Sequence, residues 1–143
     1  LAGWRFGVVA RPLLQWRDHP CRLSRTDPRY APEAFRACKL HYFMRSPYEA
    51  AGRPLVQWGA GREGKWWLRH WPAARVPQAV VDVDPRKIGQ CIAGVPVIAP
   101  SSLGPPHGRF LVVAVGVHGA RDLIRSYLAP LGWRELHDYI FVS

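Results

Sequence analysis

The 143-residue sequence predicts an α/β fold, in which a parallel sheet flanked by helices follows a mostly helical or irregular basic segment. From residue 54 onward, apolar runs of strand length alternate with amphipathic segments of helix length, which is typical of βαβ crossovers in a parallel sheet. Before residue 46, aromatic and arginine residues are interspersed with prolines. We therefore predict two parts, residues 1–46 and a Rossmann-like domain at 54–143, joined by a short Pro/Gly/Ala linker at 46–53.

The elements of the second part follow from their apolar patterns. Strands are predicted at 55–58, 79–83, 95–98, 110–115 and 138–142. The first helix is predicted to carry Trp66, Trp67, Leu68 and Trp71 and to stop at Pro72. The helix after Gly119 is predicted to bury one face, because its apolar residues recur at i, i+3, i+4 and i+7. That face comprises Ala120, Leu123, Ile124, Tyr127, Leu128 and Leu131.

The net charge of +10 does not by itself predict a nucleic-acid-binding protein. Seventeen of the 20 basic residues are arginine, and the chain has one threonine and no asparagine, which indicates the codon bias of a GC-rich genome. No run of three or more consecutive Lys or Arg residues is present that would bind a phosphate backbone. The three cysteines are odd in number and lack CxxC spacing, which predicts half-buried free thiols in a reducing cytosol. No apolar run is long enough for a transmembrane segment.

The candidate ligand-binding residues of the second part centre on a glycine motif. Gly59, Gly61 and Gly64 form a GxGxxG turn between a predicted strand and a predicted helix. In that context the glycines allow a tight turn, close approach of a phosphate and helix–strand packing, and the free N–H groups at the helix start face an anion. Asp82 ends the next strand, where a carboxylate can accept hydrogen bonds from a ribose diol. Gly116 follows the strand at 110–115 and would form the opposite wall of the crevice.

Alternatives remain for each of these residues. The glycines can form a purely structural strand–helix corner, with Asp82 capping a turn. Arg86 and Lys87 can meet a second phosphate or lie in a solvated loop, and His118 is a candidate contact. The three tryptophans of the first helix are interpreted as helix packing. No catalytic residue and no metal site is predicted from the residues of this chain.

The first part resembles a known family. Residues 12–25 read PLLQWRDHPCRLSR, which is similar to the end of the catalytic domain in bacterial family-2 glycosyltransferases of the GT-A fold. The second part resembles the Rossmann-like domain that follows in some of them, through WGAGREG at 58–64 and DVDPRKIG at 82–89. It is also similar to the nucleotide-sugar-binding domain of bacterial sugar acyltransferases.

The resemblance implies that residues 1–46 are the tail of a glycosyltransferase whose catalytic domain, with its divalent metal site, lies upstream. It places His19, Arg22 and Arg25 near the diphosphate of the sugar donor, with Trp16 and Arg17 beside the acceptor. The implied protein is cytoplasmic, or held at the inner face of the membrane by its full-length form. A solvated arginine surface is the alternative for these residues. For the whole chain, the alternatives are a non-catalytic NAD(P)- or nucleotide-sugar-binding regulatory module and a small oxidoreductase, which is disfavoured because no substrate domain is present.

Overall fold

The computed structural model describes residue 7 and residues 9–15 and 17–143, which divide into two compact units. The first unit ends at Phe35, and the second, which we call the sheet domain, spans 36–143. The division falls inside helix α2 (Pro32–Phe43), earlier than the linker predicted at 46–53. The physical reason is burial, because Phe43 at the end of α2 is 4% exposed and belongs to the core of the sheet domain.

The sheet domain is mixed α/β, with six strands in the order β3-β4-β2-β1-β5-β6. The strands are β1 (Leu55–Trp58), β2 (Val80–Val81), β3 (Cys91–Ile92), β4 (Val95–Ile98), β5 (Phe110–Val113) and β6 (Tyr139–Phe141). Neighbouring strands are parallel except for β3 and β4, which are antiparallel. The predicted α/β class with a mostly parallel, helix-flanked sheet is confirmed, and the arrangement is consistent with a Rossmann-like fold.

Two apolar clusters cover the two faces of the sheet, because successive strand residues point to opposite sides. One face packs against α4 (Arg62–His70) and the end of α2, next to the short helix α3 (Pro47–Ala50). The other face packs against α5 (Ala120–Leu128). Trp67 and Trp71 of the α4 segment are buried in the first cluster, which agrees with their interpretation as packing residues.

Strand β3 was absent from the sequence prediction. It forms a hairpin with β4, in which Ile92 pairs with Val95 and the two intervening residues, Ala93 and Gly94, both have positive φ, 51° and 78°. Two central residues of positive φ define a type I′ turn, which matches the twist of a two-residue hairpin. Because alanine rarely adopts this conformation, Ala-Gly is a weak turn signal beside Asn-Gly or Asp-Gly.

Two details of the predicted burial were wrong. Leu123 was assigned to the buried face of α5 but is 74% exposed, while Ile124 and Leu128 are buried. The buried stripe of this nine-residue helix is therefore narrower than its apolar pattern, since only residues facing the sheet lose contact with water. The three cysteines, predicted to be half-buried, are free and exposed.

The first unit contains two short helical segments, α1 (Leu23–Thr26) and a 3-10 helix at Pro28–Tyr30. Asp27 caps the second of these by accepting a hydrogen bond from the backbone N–H of Arg29 at 2.9 Å. Neither segment contains a buried residue. Across the described parts of both units, no helix is long and apolar enough to cross a membrane.

Candidate functional site

The glycine turn, residues 59–64, lies at the point where the strand order of the sheet reverses. From β1 the chain proceeds to β2 and β4 on one side, and then returns to β5 and β6 on the other. The segment after β5, residues 114–119, which we call the β5 turn, is therefore next to the glycine turn. In open α/β sheets, ligands bind in the crevice outside the carboxyl ends of the strands at such a reversal.

Gly59 and Gly64 are glycines for steric reasons. Gly59 has a φ of 107°, and a Cβ placed on it would lie 2.7 Å from the backbone oxygen of Ala114 in the β5 turn. A Cβ on Gly64 would lie 1.8 Å from the backbone oxygen of Gly59. The first glycine thus brings the two turns together, and the third lets α4 pack against β1.

Gly61 has no such constraint. Its φ of −80° is open to any residue, it is exposed, and a Cβ placed on it would meet no atom within 4 Å. Within the part of the chain that the structure describes, the N–H groups of residues 61–64 have no backbone acceptor. Unpaired N–H groups at the start of a helix attract an anion. The space over Gly61 is therefore where a phosphate can approach the backbone.

Glu63 introduces a negative charge beside this space, and Arg36 of α2 neutralises it. The Arg36 Nε donates to Glu63 Oε2 at 2.8 Å, and this hydrogen bond holds the pKa of the Glu63 carboxyl below its ordinary value, although burial raises it. The side chain of Glu63 is also close to Gly116, since a Cβ placed there would lie 3.4 Å from Glu63 Cγ. Gly116 of the β5 turn therefore lies next to Glu63 of the glycine turn.

Gln57 is a site residue that the sequence analysis missed. It is fully buried at the centre of β1, and its amide nitrogen donates to the backbone oxygens of Gly59 at 2.9 Å and Gly64 at 3.0 Å. Its amide oxygen accepts from the indole N–H of Trp71 at 3.0 Å. From its buried position in β1, Gln57 therefore holds both ends of the glycine turn by hydrogen bonds. A polar residue inside an apolar strand that leads into a glycine motif is the signal that points to it.

Asp82 lies beside the glycine turn, and donors of the same domain already hydrogen-bond to both oxygens of its carboxylate. Oδ2 accepts from the backbone N–H of Ala60 at 2.7 Å and from Lys87 Nζ at 3.2 Å, and Oδ1 accepts from the backbone N–H of Asp84 at 2.9 Å. Asp82 is 7% exposed. Its position agrees with the sequence pattern, and its contacts are those of the turn-capping alternative.

Arg86 and Lys87 are both paired with carboxylates of the same loop. Arg86 binds Asp84 through its Nε at 3.1 Å and its Nη2 at 3.0 Å, and these hydrogen bonds lower the pKa of Asp84 to about 2. Lys87 Nζ lies 3.8 Å from Asp84 in addition to its contact with Asp82. Two cations therefore face two carboxylates, and this wall of the crevice carries no excess positive charge. His118, in the β5 turn, is exposed.

The three residues predicted to bind a donor diphosphate, His19, Arg22 and Arg25, lie close together in sequence in the first unit. Arg22 Nη1 is 3.6 Å from Asp18 Oδ1, and Arg25 also forms an ion pair with Asp18. His19 accepts a hydrogen bond from the backbone N–H of Cys21 at 3.2 Å through Nδ1. The structure thus brings the two guanidinium groups together around a carboxylate. Arg17 is exposed, and Trp16 lies outside the described residues.

No protein-family model matches the chain, and no curated protein is significantly similar to it. Among the described residues, no group of three or more His, Cys, Asp or Glu side chains is placed to hold a metal ion. The features that characterise the chain are therefore its fold and its glycine turn. It contains a mixed α/β domain whose glycine-rich turn lies at the carboxyl edge of a mostly parallel sheet.

Proposed function

We propose that the sheet domain is a Rossmann-like domain that binds a nucleotide or a nucleotide-sugar through its diphosphate group. The observation that carries the proposal is the position of the glycine turn. It lies where the strand order reverses, with open space over Gly61 and N–H groups at the start of α4 that have no backbone acceptor among the described residues. Tight turns fixed by buried side chains are found in many proteins, but the open face over Gly61 is the feature that a ligand requires.

We further propose that this domain acts with the catalytic domain of a family-2 glycosyltransferase on the cytoplasmic side. The resemblance of residues 12–30 supports this, together with the grouping of Arg22 and Arg25. The alternative is a regulatory module that senses NAD(P) or a nucleotide-sugar. Thermal-shift measurements with UDP-glucose, GDP-mannose, NADH and NADPH identify the class of ligand, and stabilisation by NADH or NADPH alone supports the regulatory module. If a nucleotide-sugar stabilises the chain, the coding sequence upstream of Leu1 separates the two candidates. An in-frame glycosyltransferase catalytic domain there supports the first, and a stop codon just upstream contradicts it.

Replacing Gly61 with alanine is expected to weaken ligand binding with little change in stability. The new methyl group fills the space that a phosphate would occupy, so we expect the Kd for pyrophosphate or a nucleotide to rise about tenfold, a loss of about 1.4 kcal/mol. Stability is expected to change by no more than about 0.5 kcal/mol, since alanine reduces the freedom of the unfolded chain at an unstrained position but is disfavoured at the N-cap of α4, which Gly61 occupies. Isothermal titration calorimetry and urea denaturation measure the two quantities.

The proposal fails if Gly61→Ala binds pyrophosphate and nucleotides as tightly as the wild type does. It also fails if the wild type binds none of them at millimolar concentration. The urea curve shows whether Gly61→Ala is folded under the conditions of the titration. A loss of binding counts as support only when the variant is folded.

Two arginines of α4 offer a matched pair for the electrostatics of the site. Arg62 starts the helix beside the glycine turn, with a side chain that is 92% exposed, and Arg69 lies in the last turn, also exposed. At low salt, Arg62→Ala is expected to weaken pyrophosphate binding about threefold, and less at high salt, because counterions screen exposed charges. Arg69→Ala removes the same charge at the far end and is expected to leave the Kd unchanged. Equal losses in both variants would place the anion elsewhere.

A further inference from the structure

We propose that Asp82 is a positioning residue, whose carboxylate holds the glycine turn and does not bind a ribose diol. The ligand class that follows is a compound read through its diphosphate group, with no requirement for a cis-diol at the β2 edge. This inference rests on the proposed nucleotide site and specifies which part of the ligand that site recognises. It differs from the function that the sequence pattern predicts for Asp82.

The first argument is the number of acceptor positions. A carboxylate has about four lone-pair positions, and three donors already use the carboxylate of Asp82, from Ala60, Asp84 and Lys87. A ribose diol offers two hydroxyl donors to the same carboxylate. At most one position is left, so the diol would have to displace an existing hydrogen bond. Asp82 is also 7% exposed, which leaves little room for a sugar ring to reach it.

The second argument is what the existing hydrogen bonds do. The Asp82 carboxylate fixes the peptide N–H of Ala60 from the β2 side, while Gln57 fixes the carbonyls of Gly59 and Gly64 from below. The turn is therefore held from two directions, and the N–H groups of residues 61–64 remain available. A site that is ordered before the ligand arrives loses less entropy on binding. Asp82 thus contributes to binding through Ala60 and the turn.

The third argument is charge. An unpaired carboxylate so close to the glycine turn would repel a phosphate, and Lys87 offsets it at 3.2 Å. Arg86 is engaged with Asp84. The charges of Asp82, Asp84, Arg86 and Lys87 therefore sum to zero, and the loop presents no net positive charge to the additional 2′-phosphate that distinguishes NADP from NAD. Both features favour a nucleoside diphosphate or its sugar ester over a dinucleotide whose ribose is read at this edge.

The test compares ligands with and without the diol in two proteins. Pyrophosphate, UDP and 2′-deoxy-UDP are titrated into the wild-type chain and into Asp82→Asn by calorimetry, well below the melting temperature of each. We expect the ratio of the UDP and deoxy-UDP affinities to be the same in both proteins within about twofold, since the substitution and the missing hydroxyl are then independent. We also expect Asp82→Asn to weaken pyrophosphate binding about threefold, although it removes a negative charge.

That weakening separates a positioning role from a purely structural one. Removing a negative charge near a bound anion strengthens binding by simple electrostatics, so weaker binding of pyrophosphate requires a less well-ordered turn. Loss of thermal stability with unchanged or stronger pyrophosphate binding would overturn the positioning role. A UDP preference in the wild type that is lost in Asp82→Asn would overturn the inference by showing that Asp82 reads the diol.

A measurement on the wild type keeps the inference testable if Asp82→Asn does not fold. In amide nuclear magnetic resonance spectra, the Ala60 and Asp84 N–H signals report directly on the Asp82 carboxylate. We expect those two signals to be the same with bound UDP and with bound deoxy-UDP. A difference concentrated at these two amides would overturn the inference. If pyrophosphate and both nucleotides fail to bind the wild type, the proposed function itself fails, and this inference fails with it.

Discussion

Gly64→Ala is expected to destabilise the sheet domain by about 3 kcal/mol, at the upper end of the usual cost of overpacking. The added methyl group would lie 1.8 Å from the backbone oxygen of Gly59 and 2.5 Å from its carbonyl carbon. These atoms belong to the backbone of the turn and cannot rotate away as a side chain can. Relief therefore requires α4 to move away from β1, which disturbs the packing of Trp67 and Leu68, both buried in the core.

Urea denaturation measures this change, and Gly61→Ala is the matched control. The two variants receive the same methyl group three residues apart in one turn, one against a carbonyl and the other in open space. We expect the midpoint of unfolding to fall strongly for Gly64→Ala and to change little for Gly61→Ala. Equal midpoints in the two variants would show that the contact between α4 and the turn is not as close as the structure has it.

The strands and helices that flank the glycine turn could be predicted because each depends on local patterns. β1, β5 and α4 are recognisable from apolar runs and from helical spacing, and Gly59 and Gly64 from the motif. The sequence cannot show which faces are covered by distant segments. Phe43 lies beyond the predicted boundary of the second part, yet it packs against Trp71 and Phe110, at ring-centroid distances of 5.5 and 6.0 Å.

The hydrogen-bond partners of the site residues also could not be predicted from the sequence. The sequence pattern places a carboxylate at position 82, and the structure agrees, but the pattern is the same whether that carboxylate faces a ligand or the backbone of Ala60. The choice depends on the conformation of the loop at 82–87, where Lys87 folds back toward Asp82. The conformation of such a short loop depends on competing hydrogen bonds, and local residue preferences do not determine it.

The sequence likewise does not show which basic side chains of the crevice are paired with carboxylates. The net charge of +10 does not indicate which arginines are paired, and Arg36 and Arg86 each contact a carboxylate of the same domain. Net charge therefore overstates what an anion would experience at this site. The attraction that remains comes from the N–H groups at the start of α4 and from Arg62, whose side chain is 92% exposed although its Nε lies 3.9 Å from Glu63 Oε1.

Gln57→Leu is expected to destabilise the sheet domain by about 3 kcal/mol and to weaken pyrophosphate binding as well. Leucine is similar in volume, but it leaves the indole N–H of Trp71 and the carbonyls of Gly59 and Gly64 without their side-chain partner. A buried polar group that loses its partner costs about 1–3 kcal/mol, and neighbouring losses are not additive. Binding weakens because the turn is no longer held from below, so its N–H groups are less well ordered before the anion arrives.

A double-mutant cycle with Trp71→Phe isolates the indole contribution. In the Trp71→Phe background, Gln57→Leu no longer leaves an indole N–H unpaired, so we expect its cost to fall by about 1 kcal/mol. Urea denaturation of the four proteins measures this coupling. If Gln57→Leu costs less than about 1 kcal/mol and the two substitutions are additive, the network does not hold the turn. If stability falls as expected but pyrophosphate binding is unchanged, Gln57 stabilises the fold without ordering the site, and the N–H groups of residues 61–64 are held by the helix alone.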